Sequence, residues 1–369
     1  MVTGEGDTMT DNSAVGKRIR YISSLAGLKA LCLILLYWWH GPIPRPEVDL
    51  GARTCDFLFI VSGFLVGYNG YFKTIPATWK ESVRYVGKKL SSFWPLHLLA
   101  MLAVMFVLTD PILSWKNLAD AVINLLLLQA WSPKTHFSFN GASWFLSALM
   151  FCYFIAPPLL KLSKKARTAI LVFFAAFLAR LIIELIMVNF PGQYWTFSLH
   201  TFPPVRSLEF TMGAMIVAPF IKIRDSLYGK NLFWGMSLLE LATLGGISWL
   251  AIQYNGVWQR SFYMLPFCAL VFVYAFDGGF MSKLLASAPF KWLTSIQFEF
   301  FILHQAVIKC LAEPLWQYTQ NLWILNVLLL VIIVLLALVY KHLLGKRLSL
   351  LFARTFNAAM SVLGTDIRI

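Results

Sequence analysis

Ten times along this chain a stretch of roughly 17 to 23 mostly apolar residues recurs, each long enough to cross about 30 Å of hydrocarbon as a helix. The stretches run approximately 22–40, 53–71, 91–109, 142–160, 168–188, 205–221, 232–253, 260–277, 292–312 and 322–341. No loop between them exceeds about 35 residues, a length below which a domain rarely folds alone. The expected fold class is therefore all-α, a polytopic membrane bundle of about ten transmembrane helices. Composition agrees: 59% of the 369 residues are hydrophobic and 13% charged, against about 25% charged in soluble domains. The first run lacks a small-residue cleavage site, so a retained span is expected rather than a signal peptide.

Charge orients the bundle. One further apolar stretch, 118–131, is short. If it does not cross and the N-terminus is cytoplasmic, the inner segments hold 22 of the 31 Lys and Arg residues and the outer loops hold five: Arg45, Arg53, Lys116, Lys134 and Arg260. That asymmetry is the positive-inside pattern. It places both termini in the cytoplasm and makes 111–141 an outer loop carrying a re-entrant or surface helix. The expected organisation is a cytoplasmic tail over 1–21, a membrane domain over 22–345 and a second cytoplasmic tail over 346–369. A net charge of +14 in such a chain speaks for anionic headgroups of a lipid bilayer and not for nucleic acid. The five cysteines are scattered without metal-ligand spacing, so neither a metal nor a disulfide framework is expected.

Ionisable side chains inside spans are costly, and each raises a functional question. In "LKALCLILLYWWHG", His40 falls at the outer end of the first span, and Lys29 lies about 16 Å deeper. Asp56 and Trp144 fall near the outer ends of the second and fourth spans. Arg206 and Glu209, three apart on one helix face, do so in the sixth, and His304 rises about 18 Å into the ninth. Such a layer suits a general base with an orienting carboxylate. Each member also has a plainer reading. His40 and Trp144 suit an interface, Arg206 and Glu209 an ion pair, Asp56 a helix-end pair with Arg53, Lys29 a snorkelling side chain, and His304 an interhelical hydrogen bond.

Read together, the motifs resemble acyltransferase family 3, membrane proteins that acylate hydroxyls of extracytoplasmic glycans. Lys29 and His40 match its basic residue, ten others and histidine. "CDFLFIVSGFLVGY" matches its Asp followed by Ser-Gly-Phe, at Asp56, Ser62, Gly63 and Phe64. "SWFLSALMFCYFIAP" matches a Trp-x-Leu-Ser segment, "RSLEFTMGA" an Arg-x-x-Glu-Phe-x-x-Gly pattern, and "FFILHQAVI" a late Leu-His-Gln. The order holds from residue 18 to about 345. There are departures. Ser92 stands where an arginine is expected before the third span, and Leu149 and Met150 stand where many members carry paired glutamates.

The resemblance implies a membrane O-acyltransferase, most often an O-acetyltransferase. Its donor would be cytoplasmic acetyl-CoA or another acyl-CoA, with no metal. Its acceptor would be a surface polysaccharide or lipid-linked glycan, and its location the cell membrane. Carried onto these residues, Lys29 with Arg84, Lys88 and Lys89 would hold the donor's anionic end. His40 would be the general base and Asp56 its orienting group. Arg206 would stabilise the oxyanion or fix Glu209, while Trp144 and His304 would line the acceptor side. The rival class is a transporter or flippase of glycan lipids, for which the same polar layer is a substrate path. A transporter consumes no acyl-CoA.

Overall fold

Lipid offers no hydrogen bonds, so a chain with these runs must satisfy its backbone within helices. The computed structural model describes residues 21–108, 114–190, 197–254 and 260–369, and every long element in it is helical. The tail expected over 1–21 lies outside those residues but for its last one. The same holds for the first residues of the loop expected over 111–141 and the last of the span expected over 91–109. In chain order the helices are α1 Ser23–His40, α2 Leu50–Gly70, α3 Trp79–Leu108, α4 Trp115–Leu125, α5 Trp144–Leu162, α6 Ala166–Asn189, α7 Pro203–Met215, α8 Val217–Ser226, α9 Phe233–Gln253, α10 Arg260–Tyr274, α11 Phe280–Leu285, α12 Ala288–Ser295, α13 Gln297–Thr319, α14 Leu322–Val339 and α15 Lys346–Val362.

Among the described residues six segments are long and apolar enough to cross a membrane: Leu50–Gly70, Trp79–Val107, Gly141–Leu162, Ala166–Asn189, Phe233–Gln253 and Leu322–Val362. The other expected spans are also helical but are interrupted, short or polar. The stretch 205–221 is split between α7 and α8 at Ile216, and 292–312 between α12 and α13 at Ile296. The stretches 22–40 and 260–277 form α1, which carries Lys29 and His40, and the 15-residue α10. Helix α4, at 11 residues, is about 16 Å long and too short to cross. The expected tail over 346–369 is largely helix α15, joined to α14 through a π-helical stretch, Tyr340–Gly345. It lies along α3, with Phe352 against Trp94 at 5.2 Å and Lys80 paired to Asp366 at 2.9 Å.

Helix α2 is the axis of the bundle. Of its apolar window 83% is buried, against 17% for α6 and α9, which face outward. The sequence explains why α2 tolerates such enclosure. Gly63 lies against the backbone carbonyl of Phe210 in α7, and Gly213 of α7 lies against that of Ile60 in α2. Two glycines thus bring two backbones into direct contact, as small residues do in membrane interfaces. A Cβ at either position would overlap main chain, which cannot rotate away.

The segment between α3 and α5 is fastened rather than free. The Gln129 amide donates to the Ser143 carbonyl and hydroxyl at 3.0 Å, the Asn140 amide to the Ile302 carbonyl at 2.9 Å, and Lys309 to the Phe139 carbonyl at 2.6 Å. Two of these bonds supply partners to the loop carbonyls of Ser143 and Phe139, as buried backbone requires, and the third ties the loop to α13.

Gly63→Ala and Gly213→Ala are each expected to lower the stability of the purified protein by about 1–3 kcal/mol, the usual cost of overpacking. Thermal melting checks this; unchanged melting in both would mean that the α2–α7 approach is looser than described.

Candidate functional site

Two polar centres lie among these helices. The first is a pair of histidines. His40 ends α1, where Gly41 and the prolines after it stop the helix. His304 projects from the buried face of α13. Their ring centroids are 5.2 Å apart, with His304 Nε2 3.3 Å from His40 Nδ1. Their other partners assign the protons. His304 Nδ1 is 2.7 Å from the Phe301 carbonyl, and His40 Nδ1 is 2.9 Å from the Leu36 carbonyl. A carbonyl only accepts, so both Nδ1 atoms carry hydrogen. His304 Nε2 is then an acceptor sharing the His40 proton. His40 Nε2 keeps its lone pair and has the chemistry of a base.

The second centre is a closed network of buried charge. Asp56 of α2 accepts from Arg206 of α7 at 2.6 Å and from Arg260, the first residue of α10, at 2.8 Å. Arg206 also donates to Glu209 at 2.7 Å. Glu209 accepts from Arg180 of α6 at 3.3 Å, and Arg180 donates to Glu184 at 2.7 Å. Glu184 closes the circuit by accepting from the backbone amides of Arg260 and Ser261 at 3.0 and 3.1 Å. It thereby caps α10 from another helix. His200 Nδ1 faces Arg206 and Arg260 at 3.0 and 3.2 Å, so it is the accepting nitrogen of that ring. Arg53 adds a longer pair to Asp56, 3.8 Å, and its guanidinium lies 4.1 Å from the Tyr263 ring.

An aromatic wall joins the two centres. Trp144 lies 4.6 Å from His200, with the Arg206 guanidinium 5.4 Å from its ring. Phe59, Phe145 and Phe301 continue the wall to His304, at centroid spacings of 4.4, 5.2 and 5.8 Å. Toward the other end of α1, Lys29 lines a cavity of about 200 Å³ with Ser62, Phe145, Tyr153, Gln297 and Phe301. Lys89 sits over the ring of Tyr153, which lines the same cavity, at 5.2 Å.

The sequence-predicted residues therefore divide. Asp56, Arg206, Glu209 and Trp144 come together, as do His40 and His304, and Lys29 and Lys89. Asp56 does not reach His40: among the described residues its hydrogen bonds go to arginines, and the neighbour of His40 is His304. Most of Arg206's donors are occupied by Asp56, Glu209 and His200. Arg84 is paired with Glu81, and Lys88 is exposed. Sequence reasoning gave no role to Arg180, Glu184, His200 and Arg260. Arg180 and Glu184 did leave a signal, two charges four residues apart in the otherwise apolar "FLARLIIEL", which pair on one helix face.

Residues 22–342 match the model of the acyltransferase family 3 domain. That is most of the chain, and the protein belongs to this family of acyltransferases; with its apolar helices, it is a membrane acyltransferase. Comparisons with curated proteins and with solved structures returned no match.

Removing one partner of a buried ion pair typically costs about 3–5 kcal/mol. Asp56→Ala is expected to destabilise by that order, and Arg260→Met to do likewise. The double variant should be less destabilised than the sum of the two, because the stranded charge is gone. A double-mutant melting cycle checks it; strict additivity would mean that the two side chains do not interact.

Proposed function

We propose that the protein transfers an acyl group, acetyl being the expected one, from cytoplasmic acyl-CoA to a hydroxyl of an extracytoplasmic cell-surface glycan. The observation that carries this reading is the free Nε2 lone pair of His40, held in place by His304. Family membership supplies the reaction class.

In this reading Lys29 and Lys89 attract the anionic donor by charge. The cavity that Lys29 lines lies beside α1 at Lys29 and Leu33 and includes Phe301, one turn before His304, and its largely apolar lining suits the donor's uncharged arm. His40 Nε2 accepts the proton of the acceptor hydroxyl. The oxygen bonds to the acyl carbonyl carbon, the carbon–sulfur bond breaks, and the proton leaves with the thiol. His304 is the positioning residue: its Nε2 accepts from His40 Nδ1–H and stabilises the imidazolium, the part expected of Asp56. Arg206, Glu209 and Asp56 act at one remove by fixing α2 and α7 behind the aromatic wall. Trp144 belongs to that wall, on the acceptor side.

The same proposal covers topology. Four interrupted or polar helical segments join the six apolar ones to give ten crossings in the cell membrane, with both termini cytoplasmic. Helix α4 lies at the outer surface, 22–345 forms the catalytic domain, and 1–21 and 346–369 flank it. The positive-inside distribution supports this arrangement.

Transfer of labelled acetyl from acetyl-CoA into glycan, in membranes matched for protein level, tests the reading. His40→Ala is expected to lower the rate about 10²–10⁴-fold, the range for a general base. Equal transfer by variant and parent would remove His40 as the base. Lys29→Gln is expected to raise the donor KM at least about tenfold, as for a lost charge-assisted contact, with little change in kcat; a pure kcat effect would place Lys29 outside the donor path.

A further inference from the structure

A second cleft, of about 620 Å³, opens where α9 begins, and it shares no lining residue with the Lys29 cavity. It is formed by the turn between α8 and α9 and by the start of α11. Three cations line it: Arg224, Lys230 and Lys283. Arg224 is engaged with Asp225 at 2.8 Å and with the Tyr68 hydroxyl at 3.1 Å. Lys283 lies 4.2 Å from the Phe233 ring centroid, a cation–π contact. No carboxylate among the described residues is paired with Lys230 or Lys283. The floor includes Met236 and Phe276, while Tyr228 and Trp234 stand largely exposed at the rim.

Each feature has a physical meaning at this position. Helix α9 is one of the six segments apolar enough to cross, so its first turn marks a membrane–water boundary. Tyrosine and tryptophan at that level are interface anchors. Positive charge gathered in a cleft raises the local concentration of anions. An apolar floor beneath a cationic rim fits a ligand with a phosphate and a greasy base. Helix α11 separates the cleft from α1, since Gly27 of α1 packs on Leu285 and Glu240 of α9 accepts from the Gly279 amide at 3.0 Å on the other side. The cleft therefore faces the lipid boundary on the far side of α1 from the donor cavity.

We propose that this cleft is a binding site for the headgroup of an anionic phospholipid, with Lys230 and Lys283 holding the phosphate and Trp234 and Tyr228 bracketing the glycerol region. The site is independent of the acyl-transfer chemistry.

The full-length protein in zwitterionic or uncharged detergent is titrated with phosphatidylglycerol or with phosphatidylcholine, and the melting temperature is followed. Phosphatidylglycerol is expected to raise it saturably and phosphatidylcholine to leave it nearly unchanged. A lysine near an anionic surface is worth about fivefold in affinity, so Lys230→Gln with Lys283→Gln should raise the half-saturating concentration roughly 25-fold. Both side chains are exposed, so the variant should fold. Lys346→Gln with Arg354→Gln, on α15, is the control and should stay within about threefold of the parent. Three outcomes overturn the proposal: a cleft variant that titrates like the parent, a control that shifts as far as the cleft variant, or displacement of phosphatidylglycerol by coenzyme A, which would make the cleft a site for the donor's phosphates.

Discussion

Four arginines and three carboxylates are shut away from water between α2, α6, α7 and α10, and the arrangement of these helices depends on their mutual pairing. Removing an ion from water costs several kcal/mol even after relaxation, so each charge is tolerable only while its partners stay within hydrogen-bonding distance. Asp56 serves two arginines, Glu209 two, and Glu184 one arginine and two backbone amides. Displacing any one helix would strand charge on at least one other. The network thus works as a lock on geometry, and the direct contact of α2 with α7 at Gly63 and Gly213 is the packing that this lock preserves.

The rigidity matters for the histidines because they lack such a lock of their own. His40 stands at a helix end, partly accessible, held by one carbonyl and one ring nitrogen. The distance between α1 and α13 is set by their own packing, Tyr37 against Phe300 at 6.1 Å, together with the packing of α1 on α2 and the aromatic series from Trp144 to Phe301, which abuts the arginine network. A base must be near its target but free to reach it. In the proposed reaction, separating a stiff, charge-locked frame from a lightly held imidazole meets both needs.

Much of this was legible in the sequence. Apolar run lengths identified an all-helical membrane chain, and the cost of charge in lipid singled out Asp56, Arg206, Glu209, His40, Lys29 and His304. Who pairs with whom was not legible. Spacing along one helix shows that Arg206 can meet Glu209, but whether Asp56 turns to His40 or to Arg206 is decided by rotation between helices. His200 and Arg260 sit at or beyond helix ends, where polar residues are ordinary, so nothing marked them. The break at Ile216 had a signal in Pro219, which has no N–H for the Met215 carbonyl and whose ring crowds it. At Ile296 no proline or glycine stands, but Thr294, Ser295, Gln297 and Glu299 interrupt the apolar run there.

The carboxylate of Asp277 accepts from the backbone amides of Ser23 and Ser24, at 3.4 and 2.9 Å. The first of the described helices therefore has its opening turn completed by a residue 253 positions downstream of Ser24. At roughly 5–20 residues per second, that partner arrives on the order of 10–50 s later. Throughout that interval α1, with Lys29 and His40 already in place, must be sheltered by the insertion machinery or by lipid before its own fold can receive it.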